Sequence, residues 1–278
     1  MRLVKKARHV KKIVAQARKK GKIIGFVPTM GYLHEGHLSL IRIARRRAQF
    51  TVVSIFVNPT QFGPQEDLQR YPRDLRKDTI LLKNEGVDLV FYPERTEMYP
   101  EGYSTYVEVQ DLSTILCGLS RPGHFRGVTT VVLKLFNIVQ PDIAVFGRKD
   151  FQQAVIIKRM VKDFDLNIKI VTGKIIREKD GLAMSSRNTY LLEKERKNAT
   201  VLYESLLWAK KAYAGGVRDP HWVTNKMRDM IENRGGKVDY VEAVDKNTLK
   251  PVKHLYRGTV IVLAAYFGKT RLIDNIVL

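Results

Sequence analysis

The sequence predicts an α/β protein. A doubly wound parallel sheet domain is expected over residues 1–173, followed by a smaller α+β domain over residues 174–278. Three observations carry this. Short β-branched runs alternate with stretches of helical spacing through the first part of the chain. The motifs richest in His, Gly, Lys and amide side chains fall just after such runs, where open parallel sheets bind ligands. After about Thr172 the alternation stops, and two helical stretches precede two late strands.

Residues 1–22 hold ten basic residues and no acidic one. Leu3, Val4, Ala7, Val10, Ile13, Val14 and Ala17 recur with helical period, so an amphipathic basic helix docked on the surface is expected. Transit peptides share the basic, acid-poor character. They favour serines, which this segment lacks, and it runs straight into a strand. Ile23–Val27 is an apolar run ending in Pro28, and His37–Arg47 has helical spacing. Thr51–Val57 is a β-branched run stopped by Asn58-Pro59. Leu68–Asn84 is expected as a polar helix, Val87–Tyr92 as a strand and Val128–Asn137 as an apolar helix. Ile143–Phe146 is expected as a strand, Phe151–Asp163 as a helix and Ile168–Val171 as a strand. This order gives a Rossmann-like sheet with helices on both faces. Beyond it, Lys174–Asn188 reads as a loop or hairpin. Helices follow near Glu193–Tyr213 and Trp222–Asn233, then strands at Val238–Val244 and Thr259–Phe267.

Composition bounds the function classes. With 44% hydrophobic residues among 278, the chain can bury a core, which excludes global disorder. No run of 18 uncharged apolar residues exists, so no membrane span is expected. One cysteine, Cys117, fits a reducing compartment, and a cytoplasmic location is expected. The 49 Lys and Arg against 28 Asp and Glu give +21, which suits either a polyanionic or phosphate-bearing partner or a solvated basic surface. No nucleic-acid motif or stacking array accompanies the charge, so no specific nucleic acid is expected.

Four motifs carry chemistry. The first is Met30-Gly31-Tyr32-Leu33-His34-Glu35-Gly36-His37, between a strand and a helix. Glycines 31 and 36 let a ligand approach the backbone, and a helix N-terminus favours phosphate. His34 and His37 share one face and can donate to a triphosphate. A metal pair is the rival reading, but no third ligand stands at an obvious spacing. The second motif is Met184-Ser185-Ser186-Arg187-Asn188, two hydroxyls and a planar cation suited to phosphate oxygens. The third, Gly147-Arg148-Lys149-Asp150 with Gln152-Gln153, again joins strand to helix. Lys149 can neutralise phosphate, and Asp150 can accept a ribose hydroxyl or cap the helix. The fourth is Asn58-Pro59-Thr60-Gln61-Phe62. Gln61 and Gln153 are neutral amides able to hold hydroxyl and carboxylate groups.

The first motif resembles the HxGH signature of the nucleotidyltransferase superfamily, and the second resembles that superfamily's other phosphate-binding loop. Together with Tyr71-Pro72-Arg73-Asp74, the Arg121–Val128 stretch and Arg271-Leu272-Ile273-Asp274-Asn275, the four motifs resemble the pantothenate synthetase (pantoate–β-alanine ligase) family along essentially the whole chain. The resemblance implies that ATP and pantoate form pantoyl adenylate and pyrophosphate. β-Alanine then displaces AMP to give pantothenate, in the coenzyme A pathway. It implies His37, His34, Lys149 and Arg187 as catalytic residues, with Ser185 and Ser186 on the triphosphate. Residues 30–37, Gly147, Arg148, Lys149, Asp150, Ile176 and Met184 would contact ATP. Gln61, Gln153, Asn58, His124 and Val128 would line the pantoate and β-alanine site. Magnesium is expected with ATP and with no assigned protein ligand, and a homodimer is expected through the N-terminal domain, with the C-terminal domain closing over ATP. Arg148 stands where the family pattern has a neutral or acidic residue and is expected to face solvent. The alternative is a nucleotidyltransferase of the same superfamily that keeps the nucleotide on its product.

Overall fold

The computed structural model describes residues 1–64 and 66–278. The chain divides into two compact units, one of Met1–Arg148 with Ile156–Lys174, the other of Lys149–Val155 with Ile175–Leu278.

The first unit is built on six parallel strands. In chain order they are β1 (Arg2–Val4), β2 (Ile24–Thr29), β3 (Phe50–Ile55), β4 (Leu89–Phe91), β5 (Ile143–Gly147) and β6 (Lys169–Gly173). Their spatial order is β1-β4-β3-β2-β5-β6. The interleaved helices are α1 (Ala7–Lys19), α2 (Glu35–Arg45), α3 (Leu75–Asn84), the short α4 (Arg95–Met98), α5 (Gln110–Ser113) and α6 (Cys117–Ser120), then α7 (His124–Val139) and α8 (Phe151–Asp163). Successive strand residues point to opposite faces, and the core divides accordingly. Phe26, Val52, Leu89 and Ala144 join one cluster with side chains of α1, α7 and α8. Their neighbours Val27, Val53, Val90 and Val145 join another with side chains of α2 and α3. The sheet is therefore covered on both faces, as its apolar strands require.

The chain winds outward from β2 through β3 and β4, then returns to lay β5 on the other side of β2. That reversal is the switch point where such sheets open a crevice. The β2–β5 ladder consists of Gly25↔Ile143 and Phe26↔Ala144 alone, whereas β2 and β3 pair over six positions. The carboxyl-terminal ends of β2 and β5 thus continue past their mutual pairing, and the first and third motifs leave from those ends.

Several element boundaries differ from expectation. The segment expected as one basic helix begins as β1, paired in parallel with β4, and α1 starts only at Ala7. Leu3 and Val4 fit the helical period, but they serve a three-residue edge strand. The helix expected from Leu68 starts at Leu75, with the Asp74 side chain accepting the Lys77 N–H at 2.9 Å. Pro72 disfavours helix in the residue before it. The helix expected from Val128 begins earlier, at His124, after Gly123 in left-handed conformation.

In the second unit, β7 (Lys237–Val244), β8 (Val260–Phe267) and β9 (Thr270–Val277) form an antiparallel sheet in that order. The helix expected over Glu193–Tyr213 is two, α9 (Glu193–Asn198) and α10 (Val201–Ala214), and α11 (Pro220–Asn233) follows. Leu202, Leu206, Val223 and Met227 of α10 and α11 pack with Val241 and Leu263 of the sheet. β9 is not legible as a strand in the sequence, because buried Asp274 and Asn275 interrupt its apolar pattern.

Candidate functional site

In the first unit, the loop after β2 is held from below by a carboxylate the sequence did not single out. Asp78 of α3 is 1% exposed. Its two oxygens accept the Tyr32 N–H at 2.8 Å and the Leu33 N–H at 2.7 Å. Gly31 has φ +84°, and a Cβ there would lie 3.0 Å from both Asp78 Oδ2 and Ile55 Cγ2, so only glycine fits this turn over the carboxylate. Leu33 is a core residue. The signal for Asp78 was present: it lies between Leu75 and Leu82 on one face of an amphipathic helix, a place where a carboxylate is buried.

The turn delivers His34 and His37 to the N-terminus of α2, both half-buried. The Gly36 N–H donates to His34 Nδ1 at 3.1 Å and the His34 N–H to His37 Nδ1 at 3.3 Å. The rings lie 4.2 Å apart between centroids. With both Nδ1 atoms accepting, a neutral ring carries its proton on Nε2, so each histidine is set as a donor. Glu35 pairs with Arg42 on the same helix.

A second cluster in the first unit surrounds Gln61. Asn58, 1% exposed, donates from Nδ2 to Gln61 Oε1 at 3.1 Å and to the Gly127 carbonyl at 3.1 Å. Its Oδ1 accepts from Tyr99 Oη at 2.8 Å and Thr60 Oγ1 at 2.9 Å. With its oxygen held by Asn58, the Gln61 amide presents its NH₂, which lies 3.2 Å from Met30 Sδ. Burial pushes the Tyr99 phenol up to about 12, so it stays a neutral donor and fixes which way Asn58 points. A Cβ on Gly127 would come within 2.2 Å of the Thr60 carbonyl oxygen, which is why α7 can approach this turn so closely. His124 spends both ring nitrogens on framework, Nδ1 on the Gln61 carbonyl at 2.8 Å and Nε2 on Arg121 at 3.1 Å. Val128 is enclosed in the core. Arg121 also pairs with Glu66 at 2.6 Å; burial would raise that carboxyl, and Arg121 brings it below its usual range.

Gly147 ends β5. Arg148 does not face solvent as expected: it is half-buried, with Nε shielded, because its N–H donates to the Gly173 carbonyl at 2.9 Å and continues the β5–β6 pairing.

In the second unit, Lys149, Asp150 and Gln153 are half-buried and Gln152 is buried. The Asp150 carbonyl accepts the Ala154 N–H at 3.0 Å, the first turn of α8. Ile176 and Met184 are joined by a 3.0 Å bond from the Met184 N–H to the Ile176 carbonyl. Ser185 Oγ accepts the Arg187 N–H at 3.3 Å and caps the 3₁₀ turn Ser186–Tyr190. Ser186 is 9% exposed and Arg187 is half-buried. Among the described residues, no three His, Cys, Asp or Glu side chains stand close enough to hold a metal. No helix among them is long and apolar enough to cross a membrane.

Asp78 offers a direct test of the loop. Burial holds its carboxyl above the usual value of about 3.9, and the two N–H donors oppose that. With the folded pKa raised, the folded state keeps the proton longer, so this group's contribution to stability falls as pH rises from about 4 through the raised value. Asp78→Asn keeps one acceptor but turns an NH₂ toward the other backbone N–H. Loss of one charge-assisted bond, worth roughly 1.5–3 kcal/mol, should lower kcat/KM about tenfold or more and flatten that acid-side slope of Tm. Wild-type kcat/KM together with an unchanged slope would remove Asp78 from this role.

Residues 2–277 match the family model described as pantoate-beta-alanine ligase. A pantothenate synthetase of Fervidobacterium nodosum is 55% identical over 278 residues, covering 100% of this chain and 99% of that protein. One of Caldicellulosiruptor bescii is 54% identical over the same shares. Among solved structures, a pantothenate synthetase from Thermus thermophilus superposes with TM-score 0.92 at 43% identity, covering 99% of each chain. A pantoate-beta-alanine ligase from Francisella tularensis, complexed with beta-gamma ATP and β-alanine, superposes with TM-score 0.84 at 39% identity, covering 100% of this chain and 97% of that one.

Proposed function

The chain belongs to the pantoate–β-alanine ligase family, and from that premise we propose how its residues carry the reaction. The activity is ATP-dependent joining of pantoate to β-alanine. The observation that carries it is the full-length likeness to a ligase complexed with beta-gamma ATP and β-alanine.

In this reading a pantoate carboxylate oxygen attacks the α-phosphorus of ATP, and the bond to the β-phosphate oxygen breaks, giving pantoyl adenylate and pyrophosphate. The β-alanine amine then attacks the acyl carbon. The carbon–oxygen bond to AMP breaks, the amine gives up a proton, and pantothenate and AMP leave. A carboxylate acylates poorly, whereas its mixed anhydride with AMP acylates well. The protein's part is positioning and charge stabilisation at phosphate oxygens.

His34 and His37 donate from Nε2 to those oxygens, a role supported by the backbone donors on both Nδ1 atoms. Lys149, Ser185, Ser186 and Arg187 hold the triphosphate and receive the charge on departing pyrophosphate. Met30, Gly31, Tyr32, Leu33, Glu35 and Gly36 form the wall of the nucleotide site through their turn. Gly147, Arg148, Asp150, Ile176 and Met184 complete the nucleotide contacts. Gln61 and Gln153 bind pantoate. Orientation of the Gln61 NH₂ by Asn58 supports a carboxylate or hydroxyl oxygen as its partner. Asn58, His124 and Val128 line the same site, with His124 on the Gln61 carbonyl. ATP enters as its magnesium complex, a metal that keeps phosphate and water oxygens as ligands. The proposal also includes a domain division after residue 173, a C-terminal domain that closes over the nucleotide, and a cytoplasmic homodimer.

The test uses purified protein with ATP, magnesium and pantoate, with and without β-alanine. Pantoate-dependent exchange of pyrophosphate into ATP without β-alanine is expected, and AMP with pantothenate only when all substrates are present. A nucleotide retained on the final product, or exchange independent of pantoate, would overturn the two-step route.

A further inference from the structure

The second unit buries two adjacent polar residues on β9 that the reaction above does not use. Asp274 and Asn275 are each 3% exposed. Asp274 is gripped by Arg177, whose two terminal nitrogens donate to Oδ2 at 2.6 Å and Oδ1 at 3.0 Å, and by the Asn275 N–H at 2.8 Å. A buried carboxylate needs such compensation, and the bidentate fork supplies it.

Arg177 is itself part of a closed hairpin. It donates to the Gly181 carbonyl at 3.0 Å and stacks 3.7 Å from the Tyr203 ring centroid. Arg177 and Ala183 form an antiparallel bridge. The Glu178 N–H bonds the Leu182 carbonyl at 2.8 Å, and the Met184 N–H bonds the Ile176 carbonyl at 3.0 Å. The residue after this hairpin is Ser185, so the anchor on Asp274 is also the anchor of Ser185-Ser186-Arg187.

The neighbouring side chain reaches the other phosphate-side segment. Asn275 Nδ2 donates to the Lys149 carbonyl at 3.0 Å. Lysine carries its charge on a flexible four-carbon stem, so fixing the backbone at its root limits where the ammonium can go. Arg177 occupies both oxygens of Asp274, which keeps that carboxylate paired with Arg177.

We propose that Asp274 and Asn275 are positioning residues that set Lys149 and the Ser185–Arg187 loop at a fixed spacing for a nucleoside triphosphate. The inference rests on the reading of those residues as the triphosphate holders. Neither positioning residue touches the nucleotide; one strand holds both segments from behind.

The experiment compares wild type with Asn275→Leu, which keeps the volume and removes the donor. Equilibrium dialysis gives the Kd for magnesium ATP and separately for pantoate, and pyrophosphate exchange is measured in parallel. Loss of ATP affinity of roughly tenfold, with pantoate affinity within about twofold of wild type, is expected, on the scale of a modest misplacement. A purely structural role would weaken both ligands together in proportion to the folded fraction read by circular dichroism, and that outcome overturns the proposal. So does wild-type ATP affinity in the folded variant. If Asn275→Leu fails to fold, Asp274→Asn, which preserves size and leaves Arg177 one acceptor, is read by the same criteria. Wild-type protein that binds ATP but shows no pantoate-dependent exchange would sink the two-step reading alone, since the ATP affinity ratio still decides this one.

Discussion

Lys149→Ala is expected to lower pantoate-dependent adenylate formation by roughly 10²-fold or more, the scale for removing one charge-stabilising donor from a preorganised site. That factor corresponds to about 2.7 kcal/mol of transition-state stabilisation. The magnitude follows from the surroundings of the residue. Its carbonyl is fixed by Asn275 and its segment opens α8. Burial holds the Asp274 carboxyl above its usual range, against the opposing pull of Arg177 and Lys149. Fixing the backbone at its root limits where the ammonium can go, and an alanine leaves no cation in its place. Single-turnover release of pyrophosphate measures the effect. Because charge builds on the leaving group only as the bond breaks, kcat should fall more than the affinity for pantoate. A variant that releases pyrophosphate at the wild-type rate would take Lys149 out of the chemistry.

His37→Ala is expected to cost a similar factor of roughly 10² in the same single-turnover assay. His37 has two tasks. Its Nδ1 accepts the N–H of His34 and completes the capping arrangement of α2, which leaves its Nε2 to carry the proton as a donor. His37→Asn separates them, because an asparagine side chain at that helical position is a capping partner but cannot extend to the place of Nε2. Stability recovered by His37→Asn without recovery of adenylate formation would assign the loss to the donor. Recovery of both would assign it to the cap.

Much of this was legible in the residues. Strands of the first unit are apolar on both faces, so Phe26-Val27, Val52-Val53 and Ala144-Val145 announce a sheet buried on both sides. The histidine pair, the lysine after β5 and the serine pair with Arg187 stand out because each is a cluster of chemistry-bearing side chains beside a glycine or a strand end. The shortest and most polar elements were hidden. β1 is three residues on an exposed edge, within a segment whose apolar spacing is also helical. β9 carries Asp274 and Asn275 where a strand pattern calls for apolar residues.

The residues that hold the site were the least legible. Asp78 lies 46 positions from the Tyr32 N–H it accepts, and Asn275 lies 126 from the Lys149 carbonyl it reaches. No local period encodes such distances. The same holds for Tyr99, whose link to Asn58 spans 41 positions.

The sequence by itself determined the fold class, the strand-end position of three of the four motifs and the chemistry the motifs can offer, because propensity, periodicity and side-chain type are local properties. Only the tertiary structure decided that Asp78 holds the turn before the histidine pair, that Tyr99 fixes which way Asn58 and so the Gln61 amide faces, and that one pair of buried residues on the last strand holds two separate segments. Those outcomes depend on buried polar groups finding partners far along the chain, and a buried donor or acceptor must be satisfied wherever the fold brings one within reach.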